Sequence, residues 1–147
     1  MHAFEAGREE RRDFSIAYAL LRITLGINIA LHGITRITAG QGTFVAELTR
    51  QFQATVLPHF AVQIFGYVLP WAEAIIGLLV LFGTITQAAL IAGALLMAVL
   101  TFGTALRQDW NVAGLQLIYA VVYFLLIAGR RYNWLSLDRL LSSRPHR

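Results

Sequence analysis

Three residues of types that transfer protons or bind polar ligands, Glu73, His32 and Arg22, lie inside long apolar stretches of the sequence. An ionisable group in such a stretch is costly to bury, so it usually faces the interior of a helical bundle. Glu73 stands about 16 Å from the outer end of its stretch at the rise of an α-helix. A carboxylate at that depth must be protonated or must find a cation. We therefore predict that Glu73, His32 and Arg22 form a catalytic site.

The two basic residues are alternative partners for Glu73. Arg22 lies about 24 Å and His32 about 9 Å from the outer end of the first apolar stretch, so either could reach Glu73 from a neighbouring helix. Arg22 is the preferred partner because its charge is permanent and its guanidinium fork fits a carboxylate. Two structural alternatives stay open: Arg22 reaches lipid headgroups, and Glu73 serves only as a neutral or paired packing residue.

Five further side chains would complete the site. Two are aromatic residues that precede Glu73, and three are amide or phenol groups placed on helix faces by their spacing. They are Trp71, Tyr67, Asn28, Gln116 and Tyr119. Such a set suits a polar headgroup with an apolar tail, and we predict quinone as the ligand. The four His are scattered without the spacing of metal or haem ligands, so no metal or haem is predicted.

The composition shows which class of protein must position these groups. Of 147 residues, 57% are hydrophobic and 14% are charged, whereas soluble domains carry about 25% charged residues. This balance excludes a cytosolic globular enzyme, a disordered chain and a nucleic-acid-binding module, despite the net charge of +4. The absence of Cys excludes Cys-ligated iron–sulfur clusters and thiol catalysis. The chain is predicted to lie in a lipid bilayer.

Four stretches are long enough to cross a bilayer, which takes about 20 apolar residues. They cover about 17–38, 62–81, 87–105 and 112–128, and they predict an all-α, integral membrane four-helix bundle in a single domain. The connection between the first two has apolar residues at helical spacing. It predicts an amphipathic helix over about 43–57 in the first extracytoplasmic loop, serving as a lid or a gate.

The distribution of Arg predicts the orientation. The tails, 1–13 and 130–147, carry eight Arg, whereas the loops on the other side carry three. Because basic residues concentrate on the cytoplasmic side, both termini of this multi-pass protein are expected to be cytoplasmic.

Short motifs of the sequence resemble those of the DoxX family of small bacterial four-span membrane proteins. The matching residues run from Arg22 to Arg36, from Glu73 to Gly83, and through Ser136, Leu137 and Asp138. The resemblance covers about 18–141 and implies a bacterial inner-membrane protein. One relative is the membrane subunit of a thiosulfate:quinone oxidoreductase, so the resemblance implies a redox complex subunit.

We therefore expect a quinone-interacting membrane subunit that works with a protein partner carrying redox centres, or as a homo-oligomer. If the chain is an enzyme, it would be a quinone-linked oxidoreductase that acts with that partner. Two alternatives remain: a non-enzymatic anchor or assembly subunit, and a small lipid-binding or transport protein.

Overall fold

The computed structural model describes residues 2–142, and it describes side chains from residue 7 to residue 140. The elements in chain order are α1 (His2–Thr38), α2 (Gln41–Gln51), α3 (His59–Phe82), α4 (Thr86–Leu106), α5 (Trp110–Ala128), a 3₁₀ turn (Arg130–Tyr132) and α6 (Leu137–Ser142). The described part of the chain contains no strand. Four helices, α1, α3, α4 and α5, are long and apolar enough to span a membrane. The predicted all-α membrane bundle is confirmed.

The first helix is longer than the span expected from hydropathy. It begins at His2, so most of the predicted tail 1–13 is a helical extension of the first span. Glu and Arg, which dominate this extension, are good helix formers, and the segment contains no Pro. The ring of Phe14 stacks on that of Tyr132 with centroids 5.0 Å apart, which ties the extension to the chain after α5. At the other end, 143–147 of the predicted tail lie outside the described residues.

Helices α1 and α3 pack antiparallel at very short distance through glycines. A Cβ atom at Gly33 would overlap the backbone of Pro70 and Ala74, and one at Gly77 would overlap the backbone of Ala30. Small residues at a membrane-helix interface allow such backbone contact, which increases van der Waals packing. These contacts fix the register of the two helices, with Gly33 level with the turn 70–74.

The second pair of helices is α4 and α5, and α3 also packs on α4. Tyr123 of α5 is fully buried, with its ring against Gly93 of α4. Leu90 and Leu126 are also fully buried, and together with residues of α1 and α3 they belong to one hydrophobic core. The core thus joins both helix pairs into one bundle.

The amphipathic helix between the first two spans is present but shorter than predicted. α2 ends at Gln51, and turns carry the chain from there to Pro58. Val45 and Thr49 are buried, whereas Glu47 is exposed, as expected for an amphipathic helix. Just after α2, the Arg107 guanidinium lies over the Phe52 ring, 5.4 Å from its centroid, and this contact connects the end of α2 to the end of α4.

Candidate functional site

Glu73 is buried in the bundle and forms an ion pair with a residue that was not its predicted partner. Only 3% of its side chain is exposed, and its Oε2 accepts a hydrogen bond from Nη1 of Arg36. The Arg36 guanidinium also lies over the ring of Phe44, 4.8 Å from its centroid. Arg36 keeps 29% exposure. The pair therefore joins α1 to α3 beneath α2. The Glu73 carboxylate is buried, whereas the Arg36 guanidinium is partly exposed to the surroundings of the bundle.

The predicted Glu73–Arg22 pair is wrong because the depth of Glu73 was counted from a common outer end of the two spans. The structure starts α3 at His59, and α2 packs against the part of α3 that projects beyond the end of α1. Glu73 is therefore level with Gly33, near the end of α1. Arg22 lies 11 residues before Gly33, or about 16 Å along the helix axis, which is beyond the reach of its side chain.

His32 also does not bind Glu73 directly. Its imidazole is exposed, and its Nδ1 lies 2.9 Å from the backbone oxygen of Asn28. Because a carbonyl oxygen only accepts, Nδ1 must carry the proton, which leaves Nε2 of a neutral imidazole as an acceptor. His32 is nevertheless close enough to Glu73 to interact with it electrostatically. It stands beside the ion pair rather than in it.

The amide and phenol groups predicted for the site form two separate hydrogen bonds. The Tyr119 hydroxyl donates to Oδ1 of Asn28 at 3.0 Å and links α5 to α1. Gln116 instead accepts from the Thr104 hydroxyl at 2.7 Å and links α5 to α4. All four side chains are half-buried or buried. The structure thus places Asn28, Gln116 and Tyr119 in the bundle interior, but it does not bring Gln116 to the same contact as Asn28.

The structure does not bring Trp71 and Tyr67, the two aromatic residues predicted for the site, to Glu73. Trp71 is 53% exposed and Tyr67 is 52% exposed, so both rings lie on the outer surface of the bundle. A helix turns by about 100° per residue. Trp71 therefore points about 200° away from Glu73, and Tyr67 lies on the same outer side. Helical spacing alone could have separated these rings from the acid, whereas the Phe44 ring, which lies against the Arg36 guanidinium, belongs to a helix outside the spans.

Arg22 has a different role, which the sequence analysis missed. It is 2% exposed, and its Nη1 donates to the backbone oxygens of Val80 at 2.6 Å and Leu81 at 2.7 Å. Its Nη2 donates to the backbone oxygen of Leu135 at 2.7 Å. Carbonyl groups in the last turn of a helix lack helical partners and carry partial negative charge. Arg22 therefore caps the end of α3 and fastens the chain after α5 to it.

Asp138 caps the start of the next helix from the same tail segment. Its carboxylate accepts hydrogen bonds from the backbone nitrogens of Ile85 at 2.7 Å and Thr86 at 2.8 Å, and from the Thr86 hydroxyl at 2.7 Å. Partial burial opposes ionisation of this carboxyl group, but the hydrogen bonds from Thr86 and Ile85 outweigh it and lower its pKa. Arg22 and Asp138 thus hold both sides of the α3–α4 turn, where Gly83 takes a positive φ of 68°.

No set of three His, Asp or Glu side chains that could hold a metal ion occurs among the described residues. Apart from the Tyr119–Asn28 and Thr104–Gln116 hydrogen bonds, these polar contacts form two regions: the Glu73–Arg36 pair under α2, and the contacts that Arg22 and Asp138 make at the α3–α4 turn. The first is the candidate functional site because its base keeps hydrogen-bond donors. Among the described residues, Arg36 donates only from Nη1, so its Nε and Nη2 can bind a ligand.

Comparison with known proteins gives one family match. The family model described as methylamine utilisation protein MauE matches residues 14–111, two thirds of the chain. This match overturns the DoxX assignment, which depended on short motifs that many small membrane helices could share. No curated protein and no solved structure matches the chain. The matched region includes both members of the Glu73–Arg36 pair and ends at the first turn of α5.

Proposed function

The chain belongs to the MauE family, and on that premise we propose that it is a membrane component of methylamine utilisation, working with a redox system. The family match carries this proposal. Since the chain has no Cys, a redox centre ligated by thiolates would have to come from a partner protein. The chain would therefore act together with that partner at the membrane.

Within this function, the Glu73–Arg36 pair is proposed to bind the headgroup of a quinone. The donors that remain on Arg36 suit a quinone carbonyl oxygen, and the neighbouring Glu73 carboxyl group could hold or release a proton. The pair is partly exposed through Arg36 and is covered by Phe44 of α2. In this proposal, α2 is the lid that must move for the headgroup to enter.

A scaffold role is the second candidate, and a specific observation favours it. The polar groups inside the bundle bind one another: Tyr119 binds Asn28, Thr104 binds Gln116, and Arg36 binds Glu73. Such pairs can fix the register of membrane helices without any chemistry. An anchor or assembly subunit would need only this arrangement and a surface for its partner.

Growth on methylamine tests the family-based function. A methylamine-grown bacterium whose own family member is deleted is complemented with this chain and transferred to methylamine as carbon or nitrogen source. We expect the deletion to abolish growth on methylamine but not on other sources, and the chain to restore it. Normal growth of the deletion strain on methylamine would contradict this function, whatever the pair binds.

Substitution of the pair distinguishes the quinone site from the scaffold. Glu73→Gln keeps the shape of the side chain, and Glu10→Gln removes an exposed acid as the matched control. For a quinone site, Glu73→Gln and Arg36→Gln lose growth and bound quinone, and Glu73→Gln keeps the wild-type melting temperature. For a scaffold, growth falls only as far as stability does. Wild-type protein that carries no quinone after extraction in mild detergent would also refute the quinone site.

A further inference from the structure

An open pocket of about 840 Å³ lies where the start of α4 meets the chain after α5. One wall comes from the start of α4 and the residue before it, and includes Ile85 and Ile91, which are 61% and 42% exposed. The opposite wall includes Arg130 and Arg131, both exposed, and Asn133. Because α4 begins here as a candidate membrane span, the pocket lies at the boundary of the membrane, with a basic wall beside an apolar one.

The charges of the pocket favour an anion. Three Arg and one Asp line it, which gives a net formal charge of +2. The carboxylate of Asp138 accepts hydrogen bonds from Ile85 and Thr86, so its charge is directed to the start of α4. In the part of the chain with described side chains, neither Arg130 nor Arg131 takes part in an ion pair. Among the described residues, these two guanidinium groups also donate no hydrogen bond. That of Arg131 lies over the Tyr132 ring, 4.7 Å from its centroid, which leaves the N–H donors at its edge available to a ligand.

From this arrangement we propose that the pocket binds the phosphodiester headgroup of an anionic phospholipid. Guanidinium groups bind phosphate oxygens through paired, charge-assisted hydrogen bonds. The exposed side chains of Ile85 and Ile91 extend the pocket along the outer face of α4, where acyl chains would lie. Basic pockets at the ends of membrane helices bind anionic lipids for the same reason. This site is separate from the Glu73–Arg36 pair and does not depend on the function proposed for it.

Native mass spectrometry of the full chain, released from nanodiscs that contain phosphatidylglycerol and phosphatidylcholine, tests the proposal. We expect the wild-type protein to retain phosphatidylglycerol, and the double variant Arg130→Gln/Arg131→Gln to bind it about tenfold more weakly. The matched control is Arg8→Gln/Arg11→Gln, which removes the same charge from the same end of the bundle; these two residues line a neighbouring pocket that shares only Arg131 with this one. Equal loss in both double variants would show unspecific attraction and overturn the site.

Soluble competitors distinguish a lipid from a free phosphate compound. Neither glycerophosphoglycerol nor inorganic phosphate at millimolar concentration should displace the lipid, because neither contacts the apolar wall. Displacement by either would overturn the assignment to a lipid. If the double variant fails to fold, lipid retention by the wild-type protein still tests the proposal. Equal retention of phosphatidylcholine and phosphatidylglycerol would refute selectivity for an anionic headgroup.

Discussion

Two arginines of α1, Arg22 and Arg36, take opposite kinds of partner. Arg36, near the end of the helix, binds a carboxylate and keeps donors available. Arg22 is buried, and among the described residues its hydrogen bonds go to backbone carbonyl groups alone. A buried guanidinium needs compensation, and carbonyl dipoles at a helix end supply it, with Asp138 close enough to add an electrostatic attraction. The pairing of Arg36 is thus compatible with ligand binding, whereas that of Arg22 is structural.

Replacement of Arg22 by Gln should destabilise the protein strongly. The change removes hydrogen bonds to Val80, Leu81 and Leu135 that a shorter amide cannot replace together. We expect a loss of about 2–4 kcal/mol, since bonds to charged groups are stronger than neutral ones and buried carbonyls lose their donor. Thermal unfolding in detergent measures this loss. The control is Arg12→Gln, an exposed position, and equal melting temperatures of the two variants would contradict the capping role.

Asp138 should make stability depend on pH in the acid range. Its folded-state pKa is lowered, so the ionised form stabilises the fold above the ordinary pKa of Asp, about 3.9, and this contribution is lost as the pH falls through the lowered value. Asp138→Asn should cost about 1 kcal/mol at pH 7 and should flatten the decline of melting temperature between about pH 5 and 3. If Asp138→Asn follows the same pH curve as the wild type, with Asp13→Asn as control, the prediction fails.

At the scale of helices, the glycines of α1 and α3 set the distance between them. Gly33→Ala should destabilise the protein, because the new Cβ atom would overlap the backbone of Pro70 and Ala74. Backbone atoms cannot move aside as a flexible side chain does, so we expect a loss of about 1–3 kcal/mol.

The matched control is Gly114→Ala in α5, where a Cβ atom meets nothing within 4 Å. There the change should leave stability equal or raise it by about 1 kcal/mol, because Ala favours a helix more than Gly does. The two variants are compared by thermal unfolding in the same detergent. A Gly33→Ala protein as stable as Gly114→Ala would show that α1 and α3 are not packed this closely.

The spans and the burial of Glu73 were predictable from the sequence because both follow from single residues in an apolar stretch. The partner of Glu73 could not be predicted from the sequence, because it depends on how far α3 projects beyond the end of α1. The carbonyl groups that bind Arg22 have no signature in the sequence either. The same holds for Asp138, whose partners at the start of α4 lie 52 or 53 residues away along the chain. Hydropathy thus predicts the helices, whereas contacts between them decide the site.

The orientation of the whole molecule in the membrane stays a prediction, and it assigns the two polar regions to opposite sides. With four spans, the start of α1 and the chain after α5 share a side, and α2 lies on the other. The tails carry most of the Arg, so that side is expected to be cytoplasmic. In that orientation, the Glu73–Arg36 pair lies on the extracytoplasmic side, and the proposed lipid site lies in the cytoplasmic leaflet.

Single-cysteine labelling of intact cells tests this orientation directly, because the native chain contains no Cys. A cysteine at exposed Gln53, just after α2, should react with a maleimide that cannot cross the membrane in which the protein lies. A cysteine at exposed Arg8 should react only after the cells are broken. Before labelling, each cysteine variant must be shown to keep the melting temperature of the wild-type protein. Labelling of Arg8→Cys but not of Gln53→Cys in intact cells would show that the protein has the opposite orientation. The Glu73–Arg36 pair would then lie on the cytoplasmic side.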